Sequence, residues 1–395
     1  MKLFSILFLI LPVLTGTVNA GEWSGSVVLQ GQLFNHSPLF QNQPGNNLSL
    51  SISPEYYQGW QNDAHSLTIE PFFRLDANDP ERTHFDLREF IYSVNRDTWV
   101  FSVGVGKVFW GVTEAQHLVD VINQTDLVES LDAEDKLGQP MLHLSLIRDW
   151  GTSEFFILPG FRERTFPGEK ARLRTSPYID SSQSQYSSRN GDKHVDYAFR
   201  YSHTKGNWDY GFSWFYGTNR DPGFTGGTDN NGQPVLIPVY SLMHQVGLDV
   251  QLVSGNWLWK LEAIHRRANG SNYNATTSGF EYTWVGILGS SYDLGLITEY
   301  LYDSRGNLAP TLFNKDILLG TRFVFNDTAS SEVLLGVVID PDQHEYLYLI
   351  EASTRLNDNW KLNVEARIFS GLNPSSPIYD LRNDDFLQIE FQYYF

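Results

Sequence analysis

The feature that most constrains the fold is an alternation of apolar and polar residues, repeated from Trp23 to Phe395. Clear examples are Val246 to Leu252 and Leu387 to Phe395, where every second side chain is apolar. A period of two is typical of a β-strand with one apolar face and one polar face. These segments are about 10–12 residues long, which is long for a globular strand and suits a tilted strand that crosses a bilayer.

The connections between about eighteen such segments alternate in length. Tight connections, such as Asn95-Arg96-Asp97 and Lys205-Gly206, follow most of the even-numbered segments. Long connections follow most of the odd-numbered ones, at 35–45, 76–84, 110–139, 161–193, 218–238, 305–313 and 371–384. The 55–63 connection is longer, and the 340–344 connection shorter, than this rule predicts.

An even strand number with short turns on one side and long loops on the other predicts a closed barrel in an outer membrane. A bilayer accepts only helices or closed barrels, because every backbone polar group must be paired. We therefore expect an all-β fold, a transmembrane antiparallel β-barrel of about 18 strands, formed as one domain by residues 21–395. Its turns would be periplasmic and its long loops extracellular. The alternative is a soluble sandwich or propeller, although no repeat of about 40–50 residues supports a propeller.

Both ends of the chain agree with this interpretation. Residues 1–20 combine Lys2, an apolar run from Leu3 to Leu14, and small residues before a cleavage site after Ala20, which predicts a signal peptide. The last residues, "FQYYF", resemble the end of Gram-negative outer-membrane porin-like barrels. This resemblance implies a location in the cell outer membrane and recognition of Phe395 by the barrel-assembly machinery. The expected partners are outer-membrane lipid, lipopolysaccharide and small solutes, with a homotrimer as an option.

Composition narrows the function. A net charge of −18 argues against a nucleic-acid partner, and the absence of cysteine excludes disulfides and thiolate metal sites. The ten histidines are scattered, and neither G-x-S-x-G nor HExxH is present. We therefore expect no enzymatic activity, no catalytic residue, no cofactor and no metal.

The third long connection, 110–139, is predicted to constrict the pore. Thr113 could cap a helix, and Ala115, Leu118, Val119 and Ile122 follow at helical spacing. An apolar loop is rarely left in water, and the third loop of porins folds inward. The predicted constriction residues are Trp110, Glu114, Asp120, Asn123, Asp126 and Glu129. The loop would give the pore a negative rim, because it also carries Asp132, Glu134 and Asp135 against a single Lys136. The alternative is an outer lid packed on neighbouring loops.

Two basic groups complete the predicted site. Arg200, Arg266, Arg322, Arg355 and Arg367 would form a basic pore wall. The fourth long connection supplies a candidate anion-binding group, Arg162, Arg164, Lys170, Arg172 and Arg174. Its alternatives are lipopolysaccharide phosphates and pairing with the acidic third loop.

The segment "VGKVFWGVTEAQHLVDVINQTDLVES" resembles a pattern in the DUF1302-type family of outer-membrane proteins. The matching residues are Gly106, Trp110, Gly111, Asp120, Val121, Ile122, Asn123, Asp126 and Leu127, whereas Gln124 stands where the family usually has proline. The resemblance implies a barrel whose cargo could be apolar.

The predicted function is a porin-like channel for passive diffusion of small polar or charged solutes. Its lumen is expected to be polar, mixed in sign and free of any apolar run. One alternative is a dedicated uptake or export barrel for a hydrophobic or polymeric cargo, which an apolar lumen would favour. Another is a sealed structural or adhesive barrel.

Overall fold

The computed structural model describes residues 21–268, 270–309, 311 and 313–395, so the predicted signal peptide lies outside the described residues. Strands dominate this part of the chain. They are β1 Glu22–Phe34, β2 Asn46–Trp60, β3 His65–Asp76, β4 His84–Arg96, β5 Trp99–Gly106, β6 Gln139–Arg148, β7 Gly151–Pro159, β8 Gln185–Tyr186, β9 Val195–Lys205, β10 Trp208–Thr218, β11 Gly223–Thr228, β12 Pro234–Tyr240, β13 Leu242–Ser254, β14 Trp257–Ala268, β15 Ser271–Trp284, β16 Asp293–Asp303, β17 Lys315–Val324, β18 Glu332–Asp340, β19 Glu345–Arg355, β20 Trp360–Ser370 and β21 Phe386–Tyr394. Single 3₁₀ turns lie at Ser181–Gln183, Gly191–Lys193, Ile287–Gly289, Gly306–Leu308 and Tyr379–Leu381.

An antiparallel sheet of 18 strands closes on itself. Each barrel strand pairs with the barrel strand that follows it in the chain, and β1 pairs with β21 through contacts such as Val27 with Tyr393. The strands β8, β11 and β12 form a separate small sheet within the long connections 160–194 and 219–241. The predicted 18-stranded barrel is therefore confirmed.

The two faces of the wall have opposite chemistry. Leu29 is 46% exposed, whereas its neighbour Gln30 is 3% exposed, and Glu299 is 1% exposed beside Tyr300 at 46%. Apolar and aromatic side chains thus cover the outside, and polar side chains face the interior. A soluble sandwich or propeller would place its apolar face inward, so this inverted pattern identifies a barrel that spans a membrane.

The structure corrects two predicted connections. Strand β2 extends to Trp60 because Tyr57 pairs with both Glu22 and Thr68, so the connection expected at 55–63 is the short turn 61–64. The turn expected at Ser290-Ser291 is instead the longer connection 285–292, which contains a 3₁₀ turn. Within the described ranges, no helix has the length and apolarity that a membrane span requires.

Close strand packing makes Gly104 a test of the fold. In β5 its φ is +141°, and a Cβ there would collide with the backbone carbonyl oxygen of Phe90. We expect Gly104→Ala to lower the free energy of unfolding by about 1–3 kcal/mol, as overpacking does. Gly31→Ala is the matched control, because nothing lies within 4 Å of a Cβ at that position. Urea titration of the refolded barrel, followed by tryptophan fluorescence, measures both; equal effects would contradict the predicted close approach.

Candidate functional site: a pathway beside the inward loop

The connection 107–138, here called the inner loop, lies inside the barrel. Val119 and Ile122 are fully buried, and they pack in one cluster with wall residues such as Phe156, Phe215 and Met243. The apolar part of this loop therefore completes a core that covers one side of the lumen.

Glu262 on β14 anchors the first half of the inner loop. Its carboxylate, which is fully buried, accepts hydrogen bonds from the backbone N–H groups of Val112 (2.7 Å), Thr113 (3.1 Å) and Val119 (3.2 Å). The Thr113 hydroxyl also donates to it at 2.8 Å. Hydrogen bonds to a charged acceptor are about twice as strong as neutral ones, so one wall side chain fixes a whole turn of irregular backbone.

Glu299 on β16 binds the backbone of the next two residues of the inner loop. Its carboxylate accepts the N–H groups of Glu114 (2.7 Å) and Ala115 (2.9 Å). The helix expected after Thr113 is absent from the described inner loop, and that prediction is wrong. The two wall carboxylates bind the amide hydrogens of the segment where that helix would have begun.

Three arginines hold the second half of the inner loop: Arg74 and Arg88 from the opposite wall, and Arg82 from the connection 77–83. Arg74 makes a bidentate pair with Glu129, with distances of 2.8 and 2.6 Å. Arg88 donates to Asp126 at 2.5 Å and to a loop carbonyl oxygen, and Arg82 donates to the carbonyl oxygen of Val128. Acidic groups thus hold one half of the loop and basic groups the other.

Asp126 shows how strongly this second anchor is charged. Burial alone would raise its pKa, but hydrogen bonds from His84 and Thr165 and the charge of Arg88 hold that pKa at about 2. His84, Asp126 and Glu129 are close enough together to surround a cation. Because Arg88 and Arg74 already bind the two carboxylates, we interpret this cluster as part of the loop anchor.

Most of the predicted constriction residues serve to hold the inner loop in shape. Asn123 bridges its two limbs, donating to the carbonyl oxygens of Gly106 (2.9 Å) and Leu137 (2.8 Å). The side chain of Asp120 is paired with Lys136 at 3.2 Å, and Trp110 is buried against Phe156. The side chains of Trp110 and Asp126 are buried away from the lumen cavities, so their assignment to the constriction is corrected. Those of Asp120, Asn123 and Glu129 are also held by loop contacts, but they border the cavities. Glu114 faces the lumen, where Arg322 and Lys260 approach it.

Two cavities lie along the lumen, and both are bordered by the inner loop. The inner cavity has a volume of about 700 Å³ and reaches Ser26 and Gln392, near the two ends of the barrel chain. The outer cavity has about 660 Å³ and reaches Arg164 and Asp221 in the long connections. Both are lined by the same five residues, here called the rim: Asp132, Glu134, Lys136, Leu334 and Glu351.

The rim is the point where the two cavities adjoin. Asp132 is exposed, the Glu134 side chain is 51% exposed, and the Glu351 side chain is 47% exposed. Of the acidic residues expected to make the rim negative, Asp132 and Glu134 lie where the cavities adjoin, although neither was named as a constriction residue. The polar run "DAEDK" was the available signal, because consecutive charged residues mark the water-facing part of a buried loop.

The predicted basic wall is divided among separate ion pairs. Arg322 pairs with Glu114, and Arg367 pairs with Glu351 and Glu365. The remaining three arginines lie apart from these. Arg200 binds Asp249 and lies over the ring of Trp110, and Arg266 binds Asp221 and Gln245. Arg355 lies 5.5 Å from the ring of Tyr394. No single basic wall forms within the described residues, which corrects the expectation.

The predicted anion-binding group is likewise distributed. Arg162 binds Asp86, Arg164 binds Asp221, and Arg172 binds Asp384, so these three charges are matched by carboxylates. Arg174 lies over the ring of Phe40, and Lys170 is exposed. These residues tie the long connections to one another and to the wall, and they do not converge on one anion site.

The lumen also contains an apolar surface that the sequence analysis missed. The inward-facing residues of β17, β18 and β19 include Leu318, Val338 and Leu347, and all three line the outer cavity. The expectation of a lumen without an apolar run is therefore wrong. Strand β18, "EVLLGVVID", was the available signal, because an apolar residue on both faces of a barrel strand must place one in the lumen.

Comparisons with known structures support the same architecture. The Escherichia coli outer-membrane protein Wzi, a carbohydrate-binding β-barrel involved in group 1 capsule assembly, aligns with a TM-score of 0.53 and 10% identity over 93% of this chain and 83% of its own. The fold is that of an outer-membrane β-barrel. OmpT of Vibrio cholerae (TM-score 0.48, 10% identity, 95% and 99% coverage) and the Rh. blastica porin (0.48, 11%, 95% and 100%) are also similar. The sequence matches no protein-family model and no curated protein, so the DUF1302-type resemblance gains no support.

Glu262→Gln tests the acidic anchor of the inner loop. An amide offers one acceptor oxygen where the carboxylate offers two, so at least one loop N–H loses a charge-assisted hydrogen bond of about 1.5–3 kcal/mol. We expect hydrogen exchange of the amides in 112–119 to accelerate roughly tenfold or more. The control is Glu55→Gln on β2, since Glu55 makes no hydrogen bond to the inner loop within the described residues. Unchanged exchange in the Glu262 variant would contradict the anchor.

His117 makes the inner loop sensitive to alkaline pH. Burial alone would lower its pKa, but Glu134 and Glu262 raise the pKa to about 9. Because the folded protein favours the protonated ring, this stabilisation is complete below about pH 6.5 and is lost as the pH rises through about 9. We expect the melting temperature to fall across that interval, and His117→Gln to remove this step. If the His117→Gln variant showed an equal fall in melting temperature, titration of groups other than His117 would cause that fall.

Proposed function

We propose that this protein is an outer-membrane channel for the passive diffusion of small polar or charged solutes, with a preference for cations. The observation that carries the proposal is the pair of adjoining cavities, about 700 and 660 Å³, beside the anchored inner loop. A loop held on two sides keeps a fixed opening without blocking the whole lumen. Selectivity in such a pathway comes from its width and from the charges that line it.

The charge of the pathway supports a preference for cations. The inner cavity is lined by nine acidic and six basic side chains, and the exposed groups of the rim are mainly carboxylates. A unit charge about 7 Å from a monovalent ion in water changes its free energy by roughly 0.6 kcal/mol. Each unpaired rim carboxylate would therefore enrich a cation about twofold to threefold at the rim.

Conductance in a planar bilayer tests this function. With the refolded protein under a KCl gradient, we expect steady unitary conductance and a reversal potential of the sign for cation preference. Asp132→Asn should lower the cation-to-anion permeability ratio by about twofold to threefold, since no ion pair within the described residues neutralises Asp132. Asp97→Asn, in the exposed turn 97–98 away from the lumen, is the charge-matched control. It should leave the ratio unchanged.

Two results would overturn the proposal. A folded barrel without conductance would exclude an open channel. It would favour either a dedicated barrel for a hydrophobic cargo, which the apolar surface of the lumen suits, or a sealed structural or adhesive barrel. If the protein conducts but the Asp132 substitution leaves its ion preference unchanged, the region that selects ions lies elsewhere.

The proposed setting follows from the fold. We infer a location in the outer membrane, with lipid and lipopolysaccharide around the apolar belt and no enzymatic activity. Phe395, 47% exposed, is available to the barrel-assembly machinery, and its N–H donates to the carbonyl oxygen of Gly25. A homotrimer is proposed as the assembly, and chemical cross-linking in native membranes would test it.

A further inference from the structure

The apolar surface of the lumen forms one wall of the outer cavity. Leu318 on β17 pairs with Val338 on β18. Val338 pairs in turn with Leu347 on β19, and Leu347 pairs with Phe369 on β20. All four side chains line the outer cavity. Four adjacent strands thus present a continuous row of apolar side chains to the lumen.

Two glycines leave space beside this row. Gly320 and Gly336 pair directly with each other in the next row toward the rim, and both line the outer cavity. A Cβ on Gly336 would lie 3.3 Å from Leu349 Cδ1 and 3.5 Å from Leu318 Cδ1, so leucine side chains border that space. The wall therefore has a recess that is lined with hydrocarbon.

Apolar residues outside these strands also line the outer cavity. Ala115 and Leu118 belong to the inner loop, Ile378 and Leu381 belong to the connection 371–385, and Phe313 lies just before β17. The inner loop, the strands and two further connections thus all contribute apolar groups to one enclosed space.

Part of this apolar surface stays open to the outer cavity. Leu334, Leu347 and Leu349 line the cavity and keep partial exposure. Water against such a surface is unfavourable, so an apolar group that displaces this water is stabilised. The cavity volume, about 660 Å³, lies within the roughly 300–1,000 Å³ range of sites that bind small molecules. An occupant of this size is a small molecule.

The charged lining of the outer cavity is balanced. It comprises seven carboxylates and, with His117 protonated, seven basic side chains. The pKa of His117 is raised to about 9 by Glu134 and Glu262, so His117 is charged at neutral pH. Equal numbers of the two signs give the cavity no preference for either sign.

These charges are also paired with one another. Each Lys and Arg of the lining forms an ion pair with a carboxylate, as Arg305 does with Asp303. Within the described residues, Asp132 at the rim is the one carboxylate of this lining without an ion pair. An ion that entered the recess would lose hydration without gaining a free partner beside the hydrocarbon wall, whereas a neutral molecule loses little.

We propose that the outer cavity binds small neutral molecules with an apolar body, which lies along Leu318, Val338 and Leu347. This property goes beyond the proposed channel, because the recess can hold such a molecule whether or not the lumen passes ions.

Three compounds with one apolar body and different charges test the inference. They are 2-(2-naphthyl)ethanol, which is neutral, 2-(2-naphthyl)ethylammonium and 2-naphthylacetate. Binding to the barrel in lipid nanodiscs is measured by isothermal titration calorimetry, and empty nanodiscs as the blank account for partition into lipid. We expect the neutral alcohol to bind at least tenfold more tightly than either ion, since only the ions lose hydration of a full charge.

Variants locate the binding in the outer cavity. Val338→Thr keeps the shape of the side chain and should weaken binding of the alcohol about threefold, and Leu347→Asn should weaken it about tenfold. Val28→Thr makes the same exchange in the lining of the inner cavity and should leave binding unchanged. The heat-dependent mobility of each variant on gels verifies that the barrel has folded.

The outcomes separate this inference from the channel function, which is measured by KCl conductance of the same preparation. Conductance without saturable binding of the alcohol would overturn the binding site and leave the channel standing. Binding without conductance would uphold the site and overturn the channel. Equal or tighter binding of either ion would overturn the choice of a neutral ligand, and equal binding to the Leu347→Asn variant would overturn the location.

Discussion

The structure depends on charged side chains of the barrel wall that bind the backbone and the carboxylates of the inner loop. A closed barrel of 18 strands is too wide for its own side chains to fill, so what occupies the lumen decides what it can do. Here Glu262 and Glu299 accept N–H groups from one half of the loop, and Arg74 and Arg88 bind carboxylates of the other half. This division ties the two halves of the loop to opposite parts of the wall and leaves two cavities beside the loop.

The position of the inner loop gives the remaining pathway two unlike sides. The loop contributes the exposed carboxylates of the rim, and the strands β17–β19 contribute apolar side chains. Because the loop covers the aromatic and aliphatic residues of the β6–β14 wall, the apolar surface left in the lumen is confined to one sector. A solute that passes the rim would meet charge on one side and hydrocarbon on the other.

Sequence reasoning was accurate where one local rule decided the structure. Alternation sets which side chains face lipid, and the alternating connection lengths set the topology, so the barrel followed from the sequence. It was wrong at Trp110 and Asp126, which were taken for pore-facing groups and are buried away from both cavities. A charged residue in a long connection has the same local pattern whether it lines a pore or binds an arginine from a wall more than thirty residues away in the chain.

The sequence by itself determined the strands, the inverted faces and the placement of the long connections on one side, because these depend on a period of two and on backbone pairing. Only the tertiary structure decided that the 107–138 segment is irregular rather than helical, since its N–H groups are bound by Glu262 and Glu299, far away in the chain. It also decided that segment 132–136 forms part of the rim and that Gly320 and Gly336 lie side by side on the apolar lumen surface of β17 and β18. These features require distant strands to be brought into register, which no local pattern encodes.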